Sequence, residues 1–214
     1  MLDFKLIGDV NNKEPMEKYM KNHFPFLGAK SPDRKKQSKE FIKESKQLTH
    51  EERLALVEEL YARDEREYQY VAIDVCEAVA KQLTFEELND YTHFIEEKSW
   101  WDSVDTWRKI YGIHIQKHPE NKEKVFDLFY QHPNFWMRRL SIILQLSEKE
   151  NTDEEMLTKS ILHDLETDEF FIQKAIGWSL RQYSKTNPDW VEGFISKVEL
   201  SPLAKREGLK QIQK

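Results

Sequence analysis

One cysteine, Cys76, stands in this chain of 214 residues, so no intramolecular disulfide can form and a reducing compartment is the simplest expectation. It lies in the apolar stretch Val71 to Ala80 with no activating partner near it in sequence, and reads as a small buried hydrophobe rather than a reactive thiol. No apolar run reaches membrane length. The N-terminal MLDFKLIGDVNNKEP has no uninterrupted apolar segment of the kind that directs secretion, so a cytoplasmic location is expected. A phosphate-cradling glycine loop, a Walker motif and GxSxG are all absent, which argues against nucleotide-dependent chemistry and leaves no cofactor to expect. His114 and His118 have metal-ligand spacing, but Ile115 occupies the place where a zinc protease motif has Glu, so no metal site is expected.

Glycine and proline are scarce, 6 and 7 residues, and the segments between them show apolar spacing of three and four rather than alternation. The spacing predicts helix from Phe41 and Ile42 onward and over Leu54–Tyr61, Tyr70–Leu83, Val104–Ile115, Lys124–Tyr130, Trp136–Leu146 and Ile172–Tyr183. Aromatic pairs recur at Trp100 and Trp101, Phe135 and Trp136, and Phe170 and Phe171, a spacing of 35 on both steps, with a looser counterpart at Tyr68 and Tyr70. Such a period is produced by stacked helix pairs, because one pair cannot bury its apolar face without neighbours. The expected fold is therefore all-α, a curved α-solenoid of HEAT-like repeats forming one domain over residues 1–214. Residues 1–50 are expected to make a helical N-terminal cap with a basic cluster. Equivalent helices of such a stack share one surface, and that surface is where function is sought.

Charged residues make up 34% of the chain and hydrophobic ones 39%, a composition for a folded core beneath a heavily charged surface. The net charge of −6 opposes a surface that attracts nucleic acid everywhere. The acidity is concentrated, however. Residues 51–100 carry 5 bases and 14 acids, whereas residues 1–50 carry 11 and 7, residues 101–150 carry 8 and 7, and residues 151–214 carry 9 and 11. A basic groove outside the acidic stretch is compatible with these counts.

Four groups of residues could carry chemistry. In KSWWDSVDTW, Ser99 is a candidate N-cap, with Asp102 completing a capping-box-like pattern. Asp105 lies too deep to cap and shares a helix face with Trp101, four residues earlier; either it faces the shared surface or it simply pairs with Lys109. Arg138 and Arg139 follow Trp136 in a strongly apolar helix and point about 100° apart, so one is expected at the groove or in a salt bridge between repeats. Lys174, Trp178 and Arg181 form a basic stripe interrupted by an indole, suited to a nucleic-acid backbone unless Trp178 is core. Near the N-terminus, Lys30, Arg34, Lys35, Lys36 and Lys39 form a cluster that is either solvated or in contact with phosphate.

Taken in order, NHFPFLGAKSPDRK, EYQYVAIDV, SWWDSVDTW, FWMRRLSIILQL and QKAIGWSLRQYSKTNPDWV resemble the landmarks of the AlkD-like DNA glycosylases over most of the chain. The resemblance implies a stack of HEAT-like repeats whose concave face binds duplex DNA and excises cationic N3- and N7-alkylated purines. By position it implies that Asp105 is the catalytic carboxylate, that Trp101 and Trp178 flank the lesion nucleotide, and that Arg139, with Arg138 beside it, contacts DNA. Lys174, Arg181, Arg34 and Lys35 are the further expected DNA contacts. The expected partner is duplex DNA carrying alkylated bases, with no membrane and no nucleotide cofactor, and the protein is expected to act as a monomer. The net charge keeps a second class open: a catalytically silent repeat protein that binds nucleic acid structures or a protein partner. A peptide-binding tetratricopeptide scaffold is disfavoured, since its signature glycine and alanine positions are missing.

Overall fold

A computed structural model of the protein describes residues 4–212, which are helical with no strand among them. The helices are α1 (Val10–Tyr19), α2 (Ser31–Ser45), α3 (His50–Ala62), α4 (Arg66–Glu77), α5 (Phe85–Asp90) and α6 (His93–Glu96). They continue with α7 (Trp101–Lys117), α8 (Lys122–Asp127), α9 (Phe135–Ile143), α10 (Glu154–His163), α11 (Phe170–Tyr183), α12 (Pro188–Lys197) and α13 (Pro202–Leu209). Contacts divide the chain between Phe94 and Ile95 into two compact units.

In the N-terminal unit α4 packs against α2 and α3. Its core includes Leu60, Tyr61, Val71, Ile73, Val75 and Cys76, all essentially without solvent exposure, and burial pushes the Cys76 thiol pKa well up, as befits an inert small hydrophobe. Thr49 and Thr84 open α3 and α5 with full capping boxes, paired with Glu52 and Glu87. The connector before α2 is anchored by a buried carboxylate: Glu67 accepts from the backbone N–H of Leu27 (3.0 Å), Gly28 (2.9 Å) and Ala29 (2.9 Å). Gly28 has φ of +93°, a left-handed conformation that glycine adopts without strain.

Helix α4 stops at Glu77, short of the predicted Leu83. Beyond it the N–H groups of Val79, Ala80 and Gln82 reach carbonyls three residues back, so the apolar pattern runs on through tightened turns. Helices α8 and α9 likewise end before Tyr130 and Leu146.

In the C-terminal unit the 35-residue period becomes physical. The aromatic pairs open α7, α9 and α11: α7 begins at Trp101, the second of its pair, and α9 and α11 begin at Phe135 and Phe170, the first of theirs; α9 packs against both of the others. At their N-terminal ends the repeated aromatics meet across the stack. The ring of Trp100 stands edge-on to those of Trp136 (centroids 5.9 Å apart) and Phe171 (5.0 Å), and Trp136 lies tilted against Phe171 (4.9 Å). Behind them Ile142, Ile143, Ile172, Ile176 and Leu180 form a continuous core with Val191, Ile195 and Ala204 from α12 and α13. Each helix pair buries its face against the next, which is the packing of an α-helical repeat solenoid. Helix α13 lies against α11 at Gly177, where an added Cβ would fall 2.4 Å from the Cβ of Glu207 and 2.9 Å from the Ala204 carbonyl oxygen.

Candidate active site

Helix α7 begins one residue later than a Ser99 cap requires. Trp100, in extended conformation, occupies the N-cap without a side-chain cap hydrogen bond, and the Ser99 hydroxyl donates instead to the Ile95 carbonyl at 2.6 Å. The capping box expected from Ser99 and Asp102 is therefore not formed, because the shift leaves Ser103 rather than Asp102 at the third helical position. Asp102 stays in the first turn, nearly buried, where a negative charge suits the helix end.

One turn further in, Asp105 meets Arg139 of the next repeat. Arg139 donates from Nε to Oδ1 at 2.8 Å and from Nη2 to Oδ2 at 2.9 Å, a bidentate pair, and its Nη1 donates to the Phe171 carbonyl. A single guanidinium thus joins α7, α9 and the first turn of α11. Its side chain is 5% exposed, whereas that of Asp105 is 18% exposed. Lys109, the other partner considered for Asp105, is exposed on α7, and the pairing is with Arg139. Burial raises the Asp105 pKa above the ordinary aspartate value; the Arg139 hydrogen bonds and charge, and the charge of Arg108, pull it back, while Asp102 adds to the rise. The guanidinium uses two of the four lone-pair positions of the carboxylate, which leaves acceptor capacity on the partly exposed side.

Arg138, the neighbour of Arg139, turns elsewhere. It binds Asp164 (Nε to Oδ1, 2.9 Å) and donates from Nη1 to the carbonyls of His132 (2.8 Å) and Pro133 (3.0 Å). Asp164 is buried, and through it Arg138 ties a connector to the repeat. Arg34 is also set apart from its basic cluster: it is nearly buried, pairs with Asp74 at 3.1 Å and lies over the ring of Tyr70, whereas Lys30, Lys35, Lys36 and Lys39 are exposed. In the structure both of these arginines are held in ion pairs, Arg138 with Asp164 and Arg34 with Asp74.

Trp101 and Trp178 are both half-buried, Trp101 one turn before Asp105 on α7 and Trp178 on α11 against the C-terminal core. Lys174 and Arg181 flank Trp178 along α11, and both reach a residue that sequence reasoning did not single out. Glu207 of α13 takes Lys174 at 3.3 Å and Arg181 at 3.2 Å, together with Lys210 at 2.7 Å. The only sequence signal for it was a lone acid among Lys205, Arg206 and Lys210. Among the described residues no group of three His, Cys, Asp or Glu side chains could hold a metal ion, and no helix is long and apolar enough to cross a membrane.

The helical stack and a carboxylate held by the adjacent repeat, with the Trp101 indole one turn before it on the same helix, define a repeat protein with a polar cluster built from successive repeats. The chain belongs to the DNA alkylation repair enzyme family, whose profile matches residues 1–212. A solved structure, described as a predicted DNA alkylation repair enzyme from Enterococcus faecalis, is 44% identical, with a TM-score of 0.97 over 99% of this chain and 100% of that one. No curated protein matches the sequence.

Proposed function

We propose that the protein is a DNA glycosylase that releases positively charged N3- and N7-alkylated purines from duplex DNA, with Asp105 as its catalytic carboxylate. The observation that carries this reading is the Asp105–Arg139 pair: a carboxylate gripped by a guanidinium from the next repeat, partly exposed and one helical turn from an indole.

The chemistry asks little of the protein. An alkylated purine carries a positive charge, so when its N-glycosidic bond breaks the electron pair stays on the base, which leaves neutral and needs no general acid. The sugar becomes an oxocarbenium-like cation at C1′. Asp105 stabilises that cation and orients the water that adds at C1′, and the proton lost by the water passes to solvent. Products are the neutral base, an abasic site and one proton. Ordinary glycosidases need two carboxylates; here the substrate supplies the good leaving group and one suffices. Trp101 and Trp178 attract the cationic nucleotide through their ring faces, each contributing about 0.5–2 kcal/mol according to desolvation. Arg139 positions Asp105 and opposes the burial that raises its pKa, with two of its five N–H donors left for a phosphate.

The test is release of 7-methylguanine or 3-methyladenine from methylated duplex DNA by wild-type protein and by Asp105→Asn, at low and at physiological salt. Release by the wild type with loss in the variant supports the reading. Equal release by both removes Asp105 from its role, and no release by either makes the protein a non-catalytic member of its family.

A further inference from the structure

A cleft of about 520 Å³ opens between α8 and α10. Its walls come from residues 119–130 and 153–159, so none of them stands on α7, α9 or α11. Five carboxylates line it, Glu120, Glu123, Asp127, Asp153 and Glu155, against two bases, Lys122 and Lys159, which gives the cleft a net charge of −3. Both bases are engaged within the chain. Lys122 meets Glu148 at 3.4 Å and donates to the Asn151 carbonyl at 3.0 Å, and Lys159 meets Glu155 at 2.9 Å.

Three of the carboxylates have structural partners. Asp153 caps α10 by accepting from the Met156 N–H at 2.9 Å, Glu155 takes Lys159, and Glu120 lies 3.3 Å from His118. Glu123 and Asp127 differ: both are exposed, and among the described residues neither side chain has an ion pair or hydrogen bond. They stand four apart on α8, where like charges repel and weaken the helix, a repulsion that a bound cation relieves. The floor of the cleft is apolar. Phe126 and Met156 are buried, and the Phe126 ring stacks on that of the half-buried Tyr130, with centroids 4.9 Å apart. Carboxylates beside aromatic faces attract an organic cation through charge and ring quadrupole together, and a guanidinium also stacks flat on a ring.

We infer that the α8–α10 cleft docks a basic segment of a partner protein, an extended peptide whose arginine side chains reach Glu123 and Asp127 over the Phe126–Tyr130 stack. Four residues of helix advance about 6 Å. In an extended peptide, side chains two residues apart lie on one side about 6.6 Å from each other, so the two carboxylates match an Arg-X-Arg spacing. Small-molecule pockets bury most of their ligand between apolar walls, whereas this cleft is open and rimmed with charge, as suits a peptide. Its sign repels nucleic acid. Docking there requires nothing of Asp105 and holds whether or not the protein releases bases.

The experiment measures, by fluorescence anisotropy at low salt, the binding of a labelled Gly-Ser peptide that carries one Arg-Ser-Arg motif. A second peptide of the same composition holds its two arginines farther apart, and spermine serves as a competitor. Proteins compared are the wild type, the double variant Glu123→Gln with Asp127→Asn and, as a control, Glu192→Gln, which neutralises an exposed carboxylate of α12 outside the cleft. The double variant is expected to bind the Arg-Ser-Arg peptide about tenfold more weakly than the wild type, and Glu192→Gln to bind it equally well. Thermal melting of the double variant is expected at or above that of the wild type, since the like-charge repulsion on α8 is gone, so a loss of binding is not a loss of fold. Equal binding by the double variant, or no binding by the wild type, overturns the docking site. Equal affinity for the two peptides, with spermine displacing both, makes the cleft a site for any polycation and overturns the assignment to a peptide.

Discussion

The two units each contain a carboxylate that organises its surroundings, and the contrast between them separates structure from chemistry. Glu67 in the N-terminal unit has no exposure and accepts three backbone N–H bonds from the connector at Leu27 to Ala29. Its acceptor capacity is spent on main chain that would otherwise be buried without partners. Asp105 in the C-terminal unit is met by one guanidinium and remains open on one side. A saturated carboxylate fixes a loop, whereas a half-satisfied one beside an aromatic surface can still accept a developing positive charge. The adjacent arginines divide along the same line: Arg138 pairs with the buried Asp164, while Arg139 pairs with the partly exposed Asp105.

The sharpest way to break this comparison is to neutralise each carboxylate in turn. Asp105→Asn is expected to slow single-turnover base release by about 10²–10³-fold, the range for removing one preorganised electrostatic group from a reacting centre. The amide still accepts from Arg139, and thermal melting checks that the variant remains folded at the assay temperature. Glu67→Gln is expected to do the reverse. It sets an amide donor against backbone N–H donors and costs about 1–3 kcal/mol of stability, read by denaturant melting, with base release by the folded fraction unchanged. A rate loss in Glu67→Gln equal to that in Asp105→Asn would erase the distinction.

Gly177→Ala probes the packing that brings α13 onto α11. Overpacking there is expected to cost about 1–3 kcal/mol of stability, read by denaturant melting.

The smallest effect concerns pH. Asp105 must be ionised to act, and its pKa lies above the ordinary aspartate value because of burial, so activity should fall on acidification at a higher pH than for a solvated carboxylate. Arg139 opposes that rise. Replacing it by lysine keeps a positive charge but loses the bidentate fork, so the acid limb is expected to move to higher pH with a rate loss within about tenfold at neutral pH, seen in a pH profile of single-turnover release. An acid limb that stays in place would remove Arg139 from its positioning role. The same sign governs stability: the raised folded pKa means that the ionised form of Asp105 is held at a cost above that pKa, relieved as pH falls through it.

Much of the fold was legible because periodicity is a local property. The 35-residue spacing of aromatic pairs placed the first turns of α7, α9 and α11, and the four-residue interval between Trp101 and Asp105 put them on one helix face. Boundaries were less legible. The shift from Ser99 to Trp100 at the start of α7 comes from an extended Trp100 whose ring packs against Trp136 and Phe171, contacts from two later repeats that no local capping preference weighs. The extension of α4 past Glu77 was overestimated because i→i+3 turns carry the same apolar pattern as a continuing helix.

By itself the sequence determined the helical class, the repeat and the residue types available to each helix, since these follow from short-range spacing and from the scarcity of glycine, proline and cysteine. Only the tertiary structure decided which charge meets which. Asp105 chose Arg139 over Lys109, Arg138 went to Asp164, Arg34 to Asp74, and Glu207 collected three cations, because an ion pair depends on burial and on distances across helices separated by tens of residues.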